Sequence, residues 1–122
     1  MTIIEVIKNK KQFLSLLLLA DEQENMIDRY LERGTMYVLN DNGVKAECVV
    51  TDECNGILEI KNIATVPEYQ GKGYAKALID FIVKEYADKY SVLQVGTGDS
   101  PLTVPFYEKC GFVRSHIIPN FF

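Results

Sequence analysis

Gln70-Gly71-Lys72-Gly73-Tyr74-Ala75 joins an apolar, strand-like segment (Ile57 to Val66) to the start of an amphipathic helix. Glycines at a helix start leave backbone N–H groups uncovered, at the end where the helix dipole favours negative charge. The stretch therefore reads as a phosphate-binding turn. A lone Gly-x-Gly can also do no more than connect a strand to a helix. It is not a Walker loop, because no Gly-Lys-Ser/Thr ending follows at the required spacing. Nor is it a dinucleotide fingerprint, which needs Gly-x-Gly-x-x-Gly.

Working outward from this turn, apolar positions Ala75, Leu78, Ile79, Ile82, Val83 and Tyr86 recur at helical spacing, which predicts a helix from Lys72 to about Tyr90. Ser91 to Val95 follows as a short strand ending in Gly96-Thr97-Gly98. A strand, a helix and a strand form a crossover, so the two strands lie parallel. Upstream, Met36 to Leu39, the turn Asn40-Asp41-Asn42-Gly43 and Lys45 to Thr51 predict a hairpin. A second turn, Glu53-Cys54-Asn55-Gly56, leads antiparallel into Ile57 to Val66. Thr2 to Ile7 is a candidate first strand, and Lys10 to Ala20 and Glu22 to Arg33 two helices. Asp21 is the expected cap of the second helix, with Glu24 as capping-box partner and Gly34 as its stop. Downstream, Pro101 and Pro105 delay a short helix with Thr103 as cap and Gly111 as stop, and Phe112 to Ile118 reads as a last strand. The order is βααβββαβαβ, an α/β mixed sheet in which ligands favour the carboxyl ends of parallel strands, where Gln70 to Ala75 sits.

The 122 residues, 48% hydrophobic and 25% charged, give room for one globular domain spanning 1–122. A net charge of −4 and a pI near 5.0 argue against nucleic-acid binding and are compatible with cationic acceptors. Cys48, Cys54 and Cys110, without a Cys-x-x-Cys pair, read as reduced thiols of a cytoplasmic protein. A single histidine, His116, with no ligand cluster around it, predicts no metal site. The apolar run Phe13 to Ala20 is too short to span a bilayer and reads as a helix, so no membrane partner is expected.

Gln70, Gly73 and Ala75 meet the Gln/Arg-x-x-Gly-x-Gly/Ala signature of the GNAT superfamily of N-acetyltransferases, which the chain resembles here. Pro105-Phe106-Tyr107-Glu108-Lys109-Cys110-Gly111-Phe112 is similar to the family's Phe-Tyr-x-x-x-Gly-Phe segment. Gly96-Thr97-Gly98-Asp99-Ser100 resembles the Gly-Thr-Gly-Asn-Ser of one bacterial branch, with Asp99 where that branch has asparagine. The likeness covers most of residues 35 to 112. It implies the acyl-CoA N-acyltransferase fold, with acetyl-CoA lying where two parallel strands splay apart. The backbone amides of Gly71, Gly73, Tyr74, Ala75 and Lys76 would then hold the pyrophosphate, with Gln70 in the signature and charge added by Lys72 or Lys76. The strand edge at Ile63, Ala64 and Thr65, with Val66 as a one-residue offset, would pair with the pantetheine arm and polarise the thioester carbonyl.

The same resemblance makes Tyr107 the candidate acid for the departing thiolate. A phenol titrates near ~10 and a thiol near ~8.5, so full proton transfer is uphill by about 2 kcal/mol and a hydrogen bond to developing charge is the readier contribution. Glu59, eleven residues before Gln70, stands at the offset where histone-acetylating members place their catalytic glutamate, and is the candidate base, acting through water. A strand carboxylate is equally often a partner for lysine, here Lys61. Asp21, Glu22, Glu24, Asp28 and Glu32 could wall an acceptor site or form a solvated helix face. Direct transfer to a primary amine of a small molecule or peptide is the implied reaction, and a non-catalytic acyl-CoA-binding module the alternative. The family usually ends with one more strand, whereas this sequence stops at Asn120-Phe121-Phe122. Either the chain is truncated or a partner subunit, as in a homodimer, completes it.

Overall fold

The computed structural model describes residues 1–95 and 117–119. Those residues form a mixed sheet of order β1-β2-β3-β4-β5-β6. Its strands are β1 (Thr2–Val6), β2 (Thr35–Asn40), β3 (Val44–Asp52), β4 (Ile57–Thr65), β5 (Val92–Val95) and β6 (Ile117–Pro119). Neighbours are antiparallel except β4 and β5, which run parallel as the crossover requires. The helices are α1 (Leu14–Ala20), α2 (Glu24–Leu31) and α3 (Tyr74–Tyr86), the last lying between β4 and β5.

Alternation along the strands divides the core between the two sheet faces. Leu78, Ile79 and Ile82 of α3 pack on Cys48, Val50, Leu58, Ile60 and Leu93. Leu17, Ile27, Tyr30 and Leu31 of α1 and α2 pack on Met36, Val38 and Val49. The two-residue period is broken once in the centre: Val50 pairs with Ile60 but Val49 pairs with Asn62, leaving Lys61 as the extra residue of a bulge.

Several local expectations shift for physical reasons. The first turn of the segment from Lys10 to Ala20 is a 3-10 helix, Lys10–Phe13, and Lys10 Nζ reaches back to the carbonyls of Leu31 and Gly34, both at 2.8 Å. Asp21 does not cap α2. The cap is Gln23, with no side-chain bond, and the Asp21 carboxylate instead takes the Gln23 N–H and the Tyr30 hydroxyl, each at 3.3 Å. Glu24, the expected capping-box partner, is held by Lys11. Gly34 does follow α2, but for lack of space: a Cβ there would lie 2.8 Å from the Tyr30 carbonyl and 2.9 Å from Val49 Cγ1. Helix α3 stops at Tyr86, where the N–H groups of Lys89 and Tyr90 both turn onto the Tyr86 carbonyl. The helix expected around Pro101 to Gly111 lies outside the described residues, as does most of the last strand except Ile117–Pro119.

Candidate active site

Strand β4 builds the centre of the site. Its parallel pairing with β5 runs from Ile57↔Val92 to Ile60↔Val95, yet β4 continues to Thr65. From Lys61 onward, no strand among the described residues pairs with its β5-side edge. The Val66 N–H bonds the Lys45 carbonyl at 2.8 Å, and Ala64 and Asn62 stand opposite Glu47 and Val49. Because backbone groups alternate between the two sides of a strand, Ala64 and Val66 turn theirs to β3, while Ile63 and Thr65 present N–H and C=O to the opposite edge. The Thr65 carbonyl receives a long 3.5 Å contact from Gln70 Nε2. An extended, amide-bearing arm laid along this edge would meet pairing groups that no described strand takes up.

The edge runs through the short 3-10 turn Pro67–Tyr69 into the glycine turn. Gly71 and Gly73 have φ of +83° and +85°, a region that costs other residues strain, and a Cβ built on either meets no atom within 4 Å. The turn thus keeps glycine for its backbone path and leaves space above it. Gly73 is the N-cap of the thirteen-residue α3, which has no side-chain cap and no acidic residue in its first turn. Tyr74 anchors that end: its hydroxyl donates to Asp41 Oδ2 at 2.7 Å, tying α3 to the β2–β3 hairpin, and this bond raises the phenol's pKa. Cations gather alongside. Lys45 Nζ lies 4.0 Å and Lys72 Nζ 5.6 Å from the centre of the Tyr69 ring, and Lys76 pairs with Asp80 at 3.0 Å. The donor set, bare amides at a helix start beside lysines, suits a diphosphate.

Glu59 lies on the α1–α2 side of β4, nearly buried. Lys61 Nζ binds one of its oxygens at 2.5 Å and Gln94 donates to the other. The helix acids divide: Glu24 and Asp28 face solvent and share Lys11 at 2.8 and 2.6 Å, whereas Asp21 turns inward to Tyr30. Hydrogen bonds to Asp28 and Glu24, and then their charge, raise the Lys11 pKa. Tyr107 and Cys110 fall outside the described residues. Two polar residues on the same sheet face escaped the sequence reading, Glu47 and Asn62, both buried. The available signal was Glu47 itself, a charge at a position alternating with inward-facing Val49.

A model of the GNAT acetyltransferase domain matches residues 32–114. The uncharacterised N-acetyltransferase YvbK of Bacillus subtilis strain 168 is 34% identical over 114 residues, covering 91% of this chain and 74% of YvbK. The chain belongs to the GNAT family. It is thus a member of the acetyl-CoA-dependent N-acetyltransferases. Among solved GNAT structures, the IAA acetyltransferase of Bacillus cereus ATCC 14579 is 36% identical with a TM-score of 0.79, covering 92% of this chain and 77% of its own. A GNAT acetyltransferase from Elizabethkingia anophelis, solved with acetyl-CoA bound, is 31% identical with a TM-score of 0.82, covering 92% and 75%. The GNAT architecture accounts for the mixed sheet seen here. No helix among the described residues is long and apolar enough to cross a membrane, and no group of three metal-ligating side chains occurs among them.

Proposed function

We propose that this protein transfers acetyl from acetyl-CoA to a primary amine of a small molecule or peptide, by direct attack through a tetrahedral intermediate. The observation that supports the reading is the continuity, among the described residues, of the β4 edge beyond Ile60 with the uncapped, glycine-lined start of α3. Backbone N–H groups of Gly71, Gly73, Tyr74, Ala75 and Lys76 hold the pyrophosphate, and the Lys72 ammonium adds charge beside it. Ile63 and Thr65 pair with the pantetheine arm, and an N–H on this edge polarises the thioester carbonyl. Tyr107 hydrogen-bonds the sulfur as charge develops on it. Glu59 takes the amine proton through a relay of several waters. Its carboxylate lies four residues, or roughly 13 Å of strand, before Ile63, too far for direct transfer.

The B. subtilis and B. cereus relatives bear acetyltransferase names, and the E. anophelis relative binds acetyl-CoA, which supports the donor assignment. Placement in the cytoplasm rests on the sequence pattern of Cys48, Cys54 and Cys110, an odd number with no Cys-x-x-Cys pair. The test is release of free thiol from acetyl-CoA over a panel of primary amines. Amine-dependent release is the expected result. Tight acetyl-CoA binding with no release for any amine would favour the non-catalytic module.

A further inference from the structure

The glycine turn before α3 makes few bonds of its own. Gly71 and Gly73 sit at φ +83° and +85°, and the N–H groups of Gly71, Lys72 and Gly73 have no hydrogen-bond partner among the described residues. A turn of this composition has many other backbone paths open to it, and a ligand that had to order it on arrival would bind more weakly. What fixes the turn lies at its two ends. Both ends are held by the β2–β3 hairpin.

After the turn, the Tyr74 ring packs on the core between α3 and the sheet, and its hydroxyl donates to Asp41 Oδ2 at 2.7 Å. Before it, the Lys45 carbonyl takes the Val66 N–H at 2.8 Å, and Lys45 Nζ lies 4.0 Å from the centre of the Tyr69 ring. The hairpin is itself braced. The Asp41 N–H bonds the Gly43 carbonyl and the Gly43 N–H bonds Asn40 Oδ1, both at 2.9 Å, while Lys45 Nζ reaches the Asn42 carbonyl at 3.1 Å. Gly73 gives α3 no side-chain cap, so the Tyr74 hydroxyl is what ties the helix start to the hairpin. By charge alone, a carboxylate this near a turn suited to a diphosphate repels the ligand. Its hydrogen bond gives Asp41 another role there.

We propose that Asp41 is a positioning residue for the cofactor: through Tyr74 it sets the path of the turn at Gly71 to Gly73, so that the N–H groups that hold the diphosphate are in place before CoA arrives. The inference rests on the N-acetyltransferase reading and adds to its cofactor site a residue 33 positions away from Tyr74 in sequence. Charge and positioning predict opposite signs. Were Asp41 only a nearby anion, removing it would tighten CoA binding. Acting through Tyr74, its removal loosens binding, whereas an amide in its place still accepts a hydrogen bond from the hydroxyl and relieves the repulsion.

The test measures CoA affinity by calorimetry in wild type, Asp41→Ala, Asp41→Asn, Tyr74→Phe and the Asp41→Ala/Tyr74→Phe double variant. Asp41→Ala and Tyr74→Phe are each expected to weaken CoA binding roughly tenfold, the order of one lost hydrogen bond to a charged group. The double variant is expected to lose no more than either single one, since both remove the same bond. Asp41→Asn is expected to bind CoA at least as tightly as wild type. An Asp41→Ala that matches or exceeds wild-type affinity overturns the inference and leaves the acetyltransferase reading intact. Losses that add in the double variant, or an Asp41→Asn as weak as Asp41→Ala, overturn it too. Should wild type bind neither CoA nor acetyl-CoA, the reading itself fails and the inference with it. If Asp41→Ala does not fold, Tyr74→Phe, which keeps the ring in the core, decides: wild-type affinity in that variant overturns the inference.

Discussion

Substituting Gly73 separates what the glycine does for the fold from what it does for the ligand. In the structure a Cβ at this position meets nothing within 4 Å, so Gly73→Ala creates no clash in the empty protein. Its cost comes from φ +85°, about 1–2 kcal/mol for a residue with a Cβ, or roughly 4 °C of Tm per kcal/mol. Gly73→Asp carries the same backbone cost and adds a carboxylate where the diphosphate is proposed to sit. At about 5 Å and an effective dielectric of ~20 to ~40, repulsion from one phosphate charge is about 2–3 kcal/mol. The carboxylate also competes with the phosphate for the N–H groups at the start of α3. CoA affinity, measured by calorimetry, is therefore expected to fall roughly 30- to 150-fold in Gly73→Asp beyond any loss in Gly73→Ala, with a Tm in Gly73→Asp no lower than in Gly73→Ala because the same carboxylate caps α3. Equal CoA affinity in Gly73→Asp and Gly73→Ala would refute the assignment of this turn to the diphosphate.

Tyr107→Phe is expected to lower kcat while leaving CoA affinity near wild type; undiminished turnover in a steady-state assay would make the hydroxyl dispensable. Gly34→Ala drives a Cβ to within 3.0 Å of two carbonyl oxygens and a valine methyl, so urea unfolding is expected to show a loss of about 1–3 kcal/mol. No loss would mean that the α2–β2 turn yields freely. The raised Glu47 pKa fixes the sign of a pH effect. Below the unfolded value near 4.5 both states hold the proton; above it only the folded state does, so the stability of wild type relative to Glu47→Gln is lost as pH rises through the folded value. Urea unfolding at pH 4 and pH 7.5 checks this, and a relative gain at the higher pH would contradict it.

The strand-loop-helix reading at Gln70 to Ala75 was available from sequence because glycine spacing and apolar periodicity report local backbone needs. For the same reason the β2–β3 and β3–β4 turns fell at Asn42-Gly43 and Asn55-Gly56, each pair in the left-handed region. Capping at α2 did not follow, because Asp21 and Glu24 each had a distant competitor, Tyr30 and Lys11, that no local pattern reveals. Gly34 illustrates a related limit: it ends α2 as expected, yet what excludes a side chain there is a neighbouring strand brought close by tertiary packing. Glu59 stood out as a candidate base through its offset from Gln70, and its partner Lys61 was foreseeable two residues on, but its tie to Gln94 depends on the parallel register. Glu47 was harder still. A single charged residue in an apolar strand looks like a surface position until the second face of the sheet is known to be covered by α1 and α2.

Backbone amide shifts on adding CoA to isotopically labelled protein test most directly whether the ligand lies along the β4 edge and across the start of α3. The account predicts the largest changes at Ile63, Thr65, Gly71, Gly73, Tyr74 and Ala75, with Ala64 and Val66, whose N–H groups face β3, changing less. Saturable CoA binding that leaves those six amides unmoved would contradict it.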